Sequence, residues 1–255
     1  MSKIDILDEA AKLHEKTVDD IVNEQNVSSD YFEFKYSSGH DIGRTFPQVD
    51  QIRFIPEIYS IYDFSKLPAK SDFEGRIELK KSAIPTDLLS TWQHGNGIMI
   101  SSKCFETIKK FNLGKSAFYN FKCYHKYNEY DYVYLALDNH LLDMLDYSKS
   151  IFYTKNLFDE FMKDITFSSK SEMHNFINTL NKDKYNKEGY KEGLIENDVE
   201  IKKVFIKSEY QDFDIIKRYS SYYISKRLKD ILEINKITGI EFKETKRVFK
   251  TESSR

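Results

Sequence analysis

The chain is poor in the residues that punctuate a fold. It holds 9 glycines and 4 prolines in 255 residues. Turns must therefore be built largely from Asn, Asp and Ser, whose short side chains bond to nearby backbone. Glycine-rich phosphate loops are missing, since Gly95-Asn96-Gly97 carries neither a Walker lysine nor a dinucleotide-binding spacing. Two cysteines cannot frame a chain of this length with disulfides, which points to reduced thiols and a cytoplasmic setting. No run approaches the roughly 18–20 apolar residues that a membrane helix needs, and mean hydropathy is −0.60. The first residues lead into a charged amphipathic segment without the apolar stretch of a secretory leader. An excess of one charge is missing too, with 39 basic residues against 41 acidic and a net charge of −2. That balance argues against nucleic acid or an anionic membrane as the partner, because phosphate contacts call for a basic surplus.

What is present can build a core. Hydrophobic residues make up 40% and aromatics 15%, with 18 Tyr and 19 Phe, which rules out global disorder. The length admits one large domain or two small ones. Over residues 4–27, apolar positions recur at helical spacing among a surplus of acids, predicting one or two helices with a solvated acidic face. Tyr31 to Tyr36 alternates aromatic and charged side chains as a half-exposed strand does. All four prolines fall between Arg44 and Pro85. Residues 1–90 are therefore expected as a helical, loop-rich region packed on a core of residues 91–250, with 251–255 as a disordered tail.

Within that core a pattern occurs twice. Ile98-Met99-Ile100 reads as a buried strand, Ser101 or Ser102 as a helix cap, and Cys104, Phe105, Ile108 and Phe111 as an apolar helix face ending near Gly114. A strand from Ala117 follows. The second copy runs from Tyr222-Tyr223-Ile224 through Ser225 and a helix burying Leu228, Ile231 and Leu232 to Gly239 and Ile240-Glu241-Phe242. Overlaid without a gap, Ile100 meets Ile224, Ser101 meets Ser225, Lys103 meets Arg227, Cys104 meets Leu228 and Phe118 meets Phe242, with the glycine offset by one. The expected class is α+β, a mixed sheet built from two strand–helix–strand units with helices packed on it and an irregular N-terminal region. Ser169 to Glu172 has the capping-box pattern of a further helix. The polar stretch 182–196 is expected to be a mobile loop.

No convergent set of reactive groups stands out. The histidines at 14, 40, 94, 125, 140 and 174 are scattered, none at the helical spacing of a zinc pair. Cys123 and His125 alternate onto one strand face, with His140 and Cys104 as conceivable further ligands, but zinc sites usually show two close pairs. Cys104 sits where a helix terminus can activate a thiol, yet its counterpart Leu228 marks the position as apolar. Asp138, Asp143 and Asp146 fit solvated caps better than an acid–base pair. The expectation is a non-enzyme with no metal and no cofactor. The rival is a metal-dependent or cysteine enzyme with a dispersed site around Cys123, His125 and Asp138. The tyrosines at 124, 127, 130, 132 and 134 interleave with Asn128, Glu129 and Asp131. They suit an interface and an aromatic core equally well.

Taken in order, Ile100-Ser101 to Phe118, the Tyr-rich run Tyr132-Val133-Tyr134-Leu135, the segment Leu145-Asp146-Tyr147-Ser148, and Tyr223-Ile224-Ser225 to Thr238-Gly239-Ile240-Glu241-Phe242 resemble the Imm11 immunity proteins over residues 85–244. The resemblance implies a bacterial, non-enzymatic binding protein that neutralises a cognate effector toxin of a polymorphic toxin system. Interfaces concentrate their energy in a few aromatic and charged anchors. The candidate partner-binding residues are therefore Tyr127, Glu129, Tyr130, Asp131, Asp138 and Asp143, where carboxylates beside tyrosines would grip a basic toxin surface. The stretch 182–196 is a second contact. A monomer or weak homodimer is expected.

Overall fold

Period-two stretches and capped helical stretches alternate along the chain, and the computed structural model follows them. It describes residues 31–55, 74–91, 97–155, 161–188, 199–218, 221–245 and 248–250. The helices expected over 4–27 and the tail 251–255 lie outside the described residues. In chain order the elements are β1 (Tyr31–Tyr36), β2 (Val49–Ile55), β3 (Glu74–Leu79), β4 (Leu88–Leu89), β5 (Gly97–Ser101), α1 (Ser102–Ile108), β6 (Ser116–His125) and β7 (Asn128–Leu137). There follow α2 (Leu141–Met144), β8 (Ile151–Lys155), β9 (Phe161–Ile165), α3 (Lys170–Glu188), β10 (Val199–Ile206), β11 (Ile215–Arg218), β12 (Ser221–Ser225), α4 (Lys226–Ile234), β13 (Ile240–Glu244) and β14 (Val248–Lys250). The class is α+β, dominated by mixed sheet.

The described chain forms two compact units. One comprises 32–140 and 212–244, the other 141–211 with the last strand. This differs from a division at residue 90. β1 forms where the alternation of Tyr31 to Tyr36 predicts a strand and enters one sheet of the first unit; the proline-marked span 44–85 was expected as an irregular layer, yet β2 and β3 enter another sheet. The prolines do not interrupt these strands. None falls within β1, β2 or β3, and Pro47 lies just ahead of β2, where a missing N–H costs no ladder bond.

In the first unit the expected repeat is visible as geometry. The order β4-β5-β7-β6 within the six-stranded sheet matches β11-β12-β1-β13 in a four-stranded one. In each, a helix connects two strands that flank a third: β5-α1-β6 around β7, and β12-α4-β13 around β1. The middle strand is antiparallel to β6 in the first copy and to β13 in the second. Ser101 and Ser225 cap the two helices with nearly the same backbone angles, φ −64 with ψ 159 and φ −64 with ψ 154. Their hydroxyls accept from the amides of Cys104 at 3.1 Å and Leu228 at 3.2 Å. Both helices bury their apolar faces in one core. Cys104, Ile108, Leu228, Ile231 and Leu232 meet Ile98, Ile100, Val133, Leu135, Tyr222 and Ile224 there.

An aspartate completes each copy. Asp87, just ahead of β4, accepts from the Ser101 hydroxyl at 2.6 Å and faces Lys103 at 3.6 Å. Asp214, just ahead of β11, accepts from the Ser225 hydroxyl and from Arg227 Nε at 2.6 Å and Nη2 at 2.8 Å. Each also reaches across. Asp87 accepts from the amide and hydroxyl of Thr238, beyond α4, and Asp214 accepts from the amide of Asn112, beyond α1. The offset glycines follow the same exchange. A Cβ on Gly239, at φ 81, would lie 2.3 Å from the Leu88 carbonyl, and one on Gly114, at φ 58, would lie 2.5 Å from Phe213. Both sit at positive φ, which glycine adopts freely, with Gly239 against the Leu88 backbone and Gly114 against the side chains of Phe213 and Asn139.

The second unit has the sheet order β14-β10-β8-β9. An aromatic row joins Tyr147, Phe152, Phe167 and Phe176, with successive ring centroids 5.8, 5.0 and 5.5 Å apart; Phe176 belongs to α3, whose Met173 and Ile177 are buried. Half of the expected capping box forms, with Glu172 N donating to Ser169 Oγ, while the Glu172 carboxylate accepts from the amide of Ser168, one residue before the cap. The stretch 182–196 is corrected in part: α3 continues to Glu188, because nothing from 182 to 188 is glycine or proline and Lys182, Lys184, Lys187 and Glu188 are good helix formers. Residues 189–196 lie outside the described residues.

Candidate partner-binding surface

Strands β6 and β7 form a ten-pair antiparallel hairpin without a bulge, from Ser116 opposite Leu137 to His125 opposite Asn128. Lys126 and Tyr127 alone make the turn. A two-residue hairpin turn needs a positive φ to match strand twist, and Lys126 supplies it at φ 57. The two strands differ. On β7 the inner residues Tyr132 to Leu137 are buried and the outer Asn128, Glu129, Tyr130 and Asp131 are all exposed, whereas on β6 the outer Phe121, Cys123 and His125 remain buried. Tyr127 at the tip is fully exposed.

Alternation puts Lys122, Tyr124, Glu129 and Asp131 on one face. Lys122 Nζ lies 2.8 Å from both Glu129 and Asp131 carboxylates. Those contacts lift its amine above the ordinary lysine range. The Lys122 bond, followed by one from Tyr124, lowers the Glu129 carboxyl. On β3, which is parallel to β6, Arg76 stacks over the Tyr124 ring at 4.2 Å and pairs with Glu78 at 3.1 Å. The tyrosines therefore divide. Tyr132 and Tyr134 are buried, and the Tyr132 hydroxyl donates to the Thr86 carbonyl. Tyr124 is half-buried, whereas Tyr127 and Tyr130 are exposed.

The other candidate acids are not part of this tip. Asp138 stands beyond the far end of β7, 2.6 Å from Lys115. Asp143 belongs to the second unit, on α2, 2.6 Å from Lys170. Beside it is a cleft of about 270 Å³ lined by Leu142, Tyr147, Ser169, Lys170 and Lys207, among others. Each candidate carboxylate thus already has a lysine against it, so the hairpin is not an acidic patch. Sequence reasoning missed Arg76, Lys122 and Lys126. The signal for Lys126 was faint because the turn holds no glycine. The other two depend on cross-strand register.

The rival catalytic set is not assembled. Cys123 is buried on β6 and its thiol is pushed up to about 12 by desolvation. His125 shares its face, as alternation requires, with Nε2 3.3 Å from the Lys81 carbonyl oxygen. Asp138 lies at the opposite end of the hairpin, roughly 27 Å along the strand from the position facing Cys123. Cys104 is buried, and desolvation, then the nearby Asp87, raises its thiol still further. Among the described residues no group of three His, Cys, Asp or Glu side chains is placed to hold a metal. No protein-family model matches the chain, and no curated protein matches it. No helix among the described residues is long and apolar enough to cross a membrane.

Proposed function

We propose that this chain is a bacterial immunity protein that acts in the cytoplasm by binding a cognate effector toxin, without chemistry of its own. The observation that carries the reading is the outer β6–β7 hairpin, where two exposed tyrosines, Tyr127 and Tyr130, stand on a hairpin braced by Lys122, Glu129 and Asp131. Large amphipathic rings held rigidly at a surface supply binding area at little entropic cost. The ordered resemblance over 85–244 supports the immunity class. Its two Ile-Ser pairs fall on the capped helix starts of the duplicated unit. The test is protection: cells expressing the toxin encoded by the adjoining reading frame should survive only with this chain present. The two purified proteins should also co-elute at one-to-one stoichiometry. Death in the presence of well-expressed chain refutes the reading.

A further inference from the structure

We infer that this chain is a strand-exchanged dimer fused into one polypeptide, with Lys126 and Tyr127 as the hinge through which it trades halves with a second copy of itself. The inference goes beyond the toxin-binding reading and stands without it.

The duplicated strand–helix–strand unit is the middle of a longer repeat. One repeat runs from β1 to β6, residues 31–125, and the other from β7 to β14, residues 128–250. Each opens with a strand and then a short helical turn, Gly39–Ile42 in the first and α2 in the second. Next comes an antiparallel pair, β2 with β3 or β8 with β10. From the end of the opening strand to the start of β2 or β8 the spacing agrees to within one residue. Then follow β4, β5, α1 and β6, or β11, β12, α4 and β13. β3 runs parallel to the far end of β6, and β10 runs parallel to β14, which follows β13 in the chain. Among the described residues the second repeat adds only β9 and α3.

The opening strands stand in each other's places. β7, which opens the second repeat, lies between β5 and β6 of the first, and β1, which opens the first, lies between β12 and β13 of the second. Their registers agree, because Phe34 faces Phe242 as Leu135 faces its counterpart Phe118. Phe34 and Leu135 are buried in the shared core, with Phe32 and Tyr36 packed beside one and Val133 and Leu137 beside the other. Without the borrowed strand, β5 and β6 would each lose a partner, as would β12 and β13, so neither repeat closes alone. The crossed contacts have the form of a two-fold interface. Asp87 bonds to the segment beyond α4, and Asp214 to the segment beyond α1.

The repeats are joined covalently only at the β6–β7 turn. Lys126 and Tyr127 lie beyond the last strand pair, and the tight reversal rests on Lys126 at φ 57. Opened there, β6 and β7 run on as one strand. The first repeat of one chain then pairs with the second repeat of another, and every strand pair between repeats is kept.

The experiment uses the full chain carrying Lys126→Pro and Tyr127→Pro, whose rings forbid the positive φ and hold the junction extended. Lys35→Cys and Glu241→Cys, opposite one another in β1 and β13, report the pairing through a short thiol cross-linker, the two native thiols being buried. After refolding at high concentration, light scattering should show a dimer with the circular dichroism of the wild-type chain. Denaturing gels should show the cross-link joining two chains. A cross-link within one chain of the dimer means that β7 alone was exchanged, and overturns the inference. A folded monomer of the proline variant overturns it as well. If the proline variant does not fold, a protease-cleavable loop placed between Lys126 and Tyr127 of the wild-type chain decides. The two cut pieces should separate in urea and re-form a one-to-one particle on dilution; pieces that stay apart overturn the inference.

Discussion

Lys217 is buried on β11, and desolvation pulls its amine down to about 8 against the opposing effect of Asp138. Between that value and the ordinary lysine value near 10.5, the unfolded chain holds a proton that the folded chain has released. Stability should therefore rise with pH across that window and show no contribution to the slope below about 8, where both states are protonated. Lys217→Met removes the cost of burying a charge at neutral pH. It should raise stability at pH 7 by about 1–3 kcal/mol and flatten the rise between pH 8 and 10; urea denaturation across that range measures both. The cysteines give a second check at this scale. With both thiols raised by burial, iodoacetamide at pH 8 should label neither Cys104 nor Cys123 at the rate of a free thiol until urea is added. Fast labelling of the folded protein would return the cysteine-enzyme reading to contention.

At the scale of elements, the helix starts were legible and the strand partners were not. Ser101 and Ser225 could be read as caps because a hydroxyl before an apolar helical stretch has one strong use. Replacing either with alanine should cost about 1–2 kcal/mol, with Ser225→Ala at the upper end because its hydroxyl also bonds to buried Asp214; thermal melts of the two variants would rank them. The strands β6 and β7 were also legible, since aromatic and charged residues alternate over both. Their use was not, because burial changes halfway along. Tyr132 and Tyr134 follow the same local pattern as Tyr130, yet only the latter lies beyond the part of the sheet that the helices and loops cover. Composition misjudged residues 44–85 for a related reason. Proline marks where a strand ends, and between Pro47 and Pro56 there is room for a whole strand, but which sheet it joins depends on partners far along the chain. The carboxylates were visible as charges, while Lys115, Lys122 and Lys170 were visible only as their neighbours in space.

For the whole first unit, the duplication predicts where a local loss will be felt. Asp214 is fully buried and carries Ser225, Arg227 and the amide of Asn112. Asp87 is slightly exposed and carries Ser101, Lys103 and Thr238. Removing Asp214 strands a guanidinium in a mostly buried place, so Asp214→Ala should cost about 3–5 kcal/mol. Asp87→Ala leaves a lysine that can turn to solvent, so about 1–2 kcal/mol is expected. The distribution of the damage is the sharper expectation, because each aspartate holds the segment that follows the other copy's helix. In native-state hydrogen exchange, Asp87→Ala should accelerate the amides around Thr238 and Gly239 at the end of the second copy, more than 150 residues from the substitution in sequence. Asp214→Ala should do the same around Asn112 and Gly114 in the first. If each variant instead loosened only the cap of its own helix, the two copies would be neighbours sharing a core rather than units that close one another. The crossing would then contribute nothing to their cooperativity.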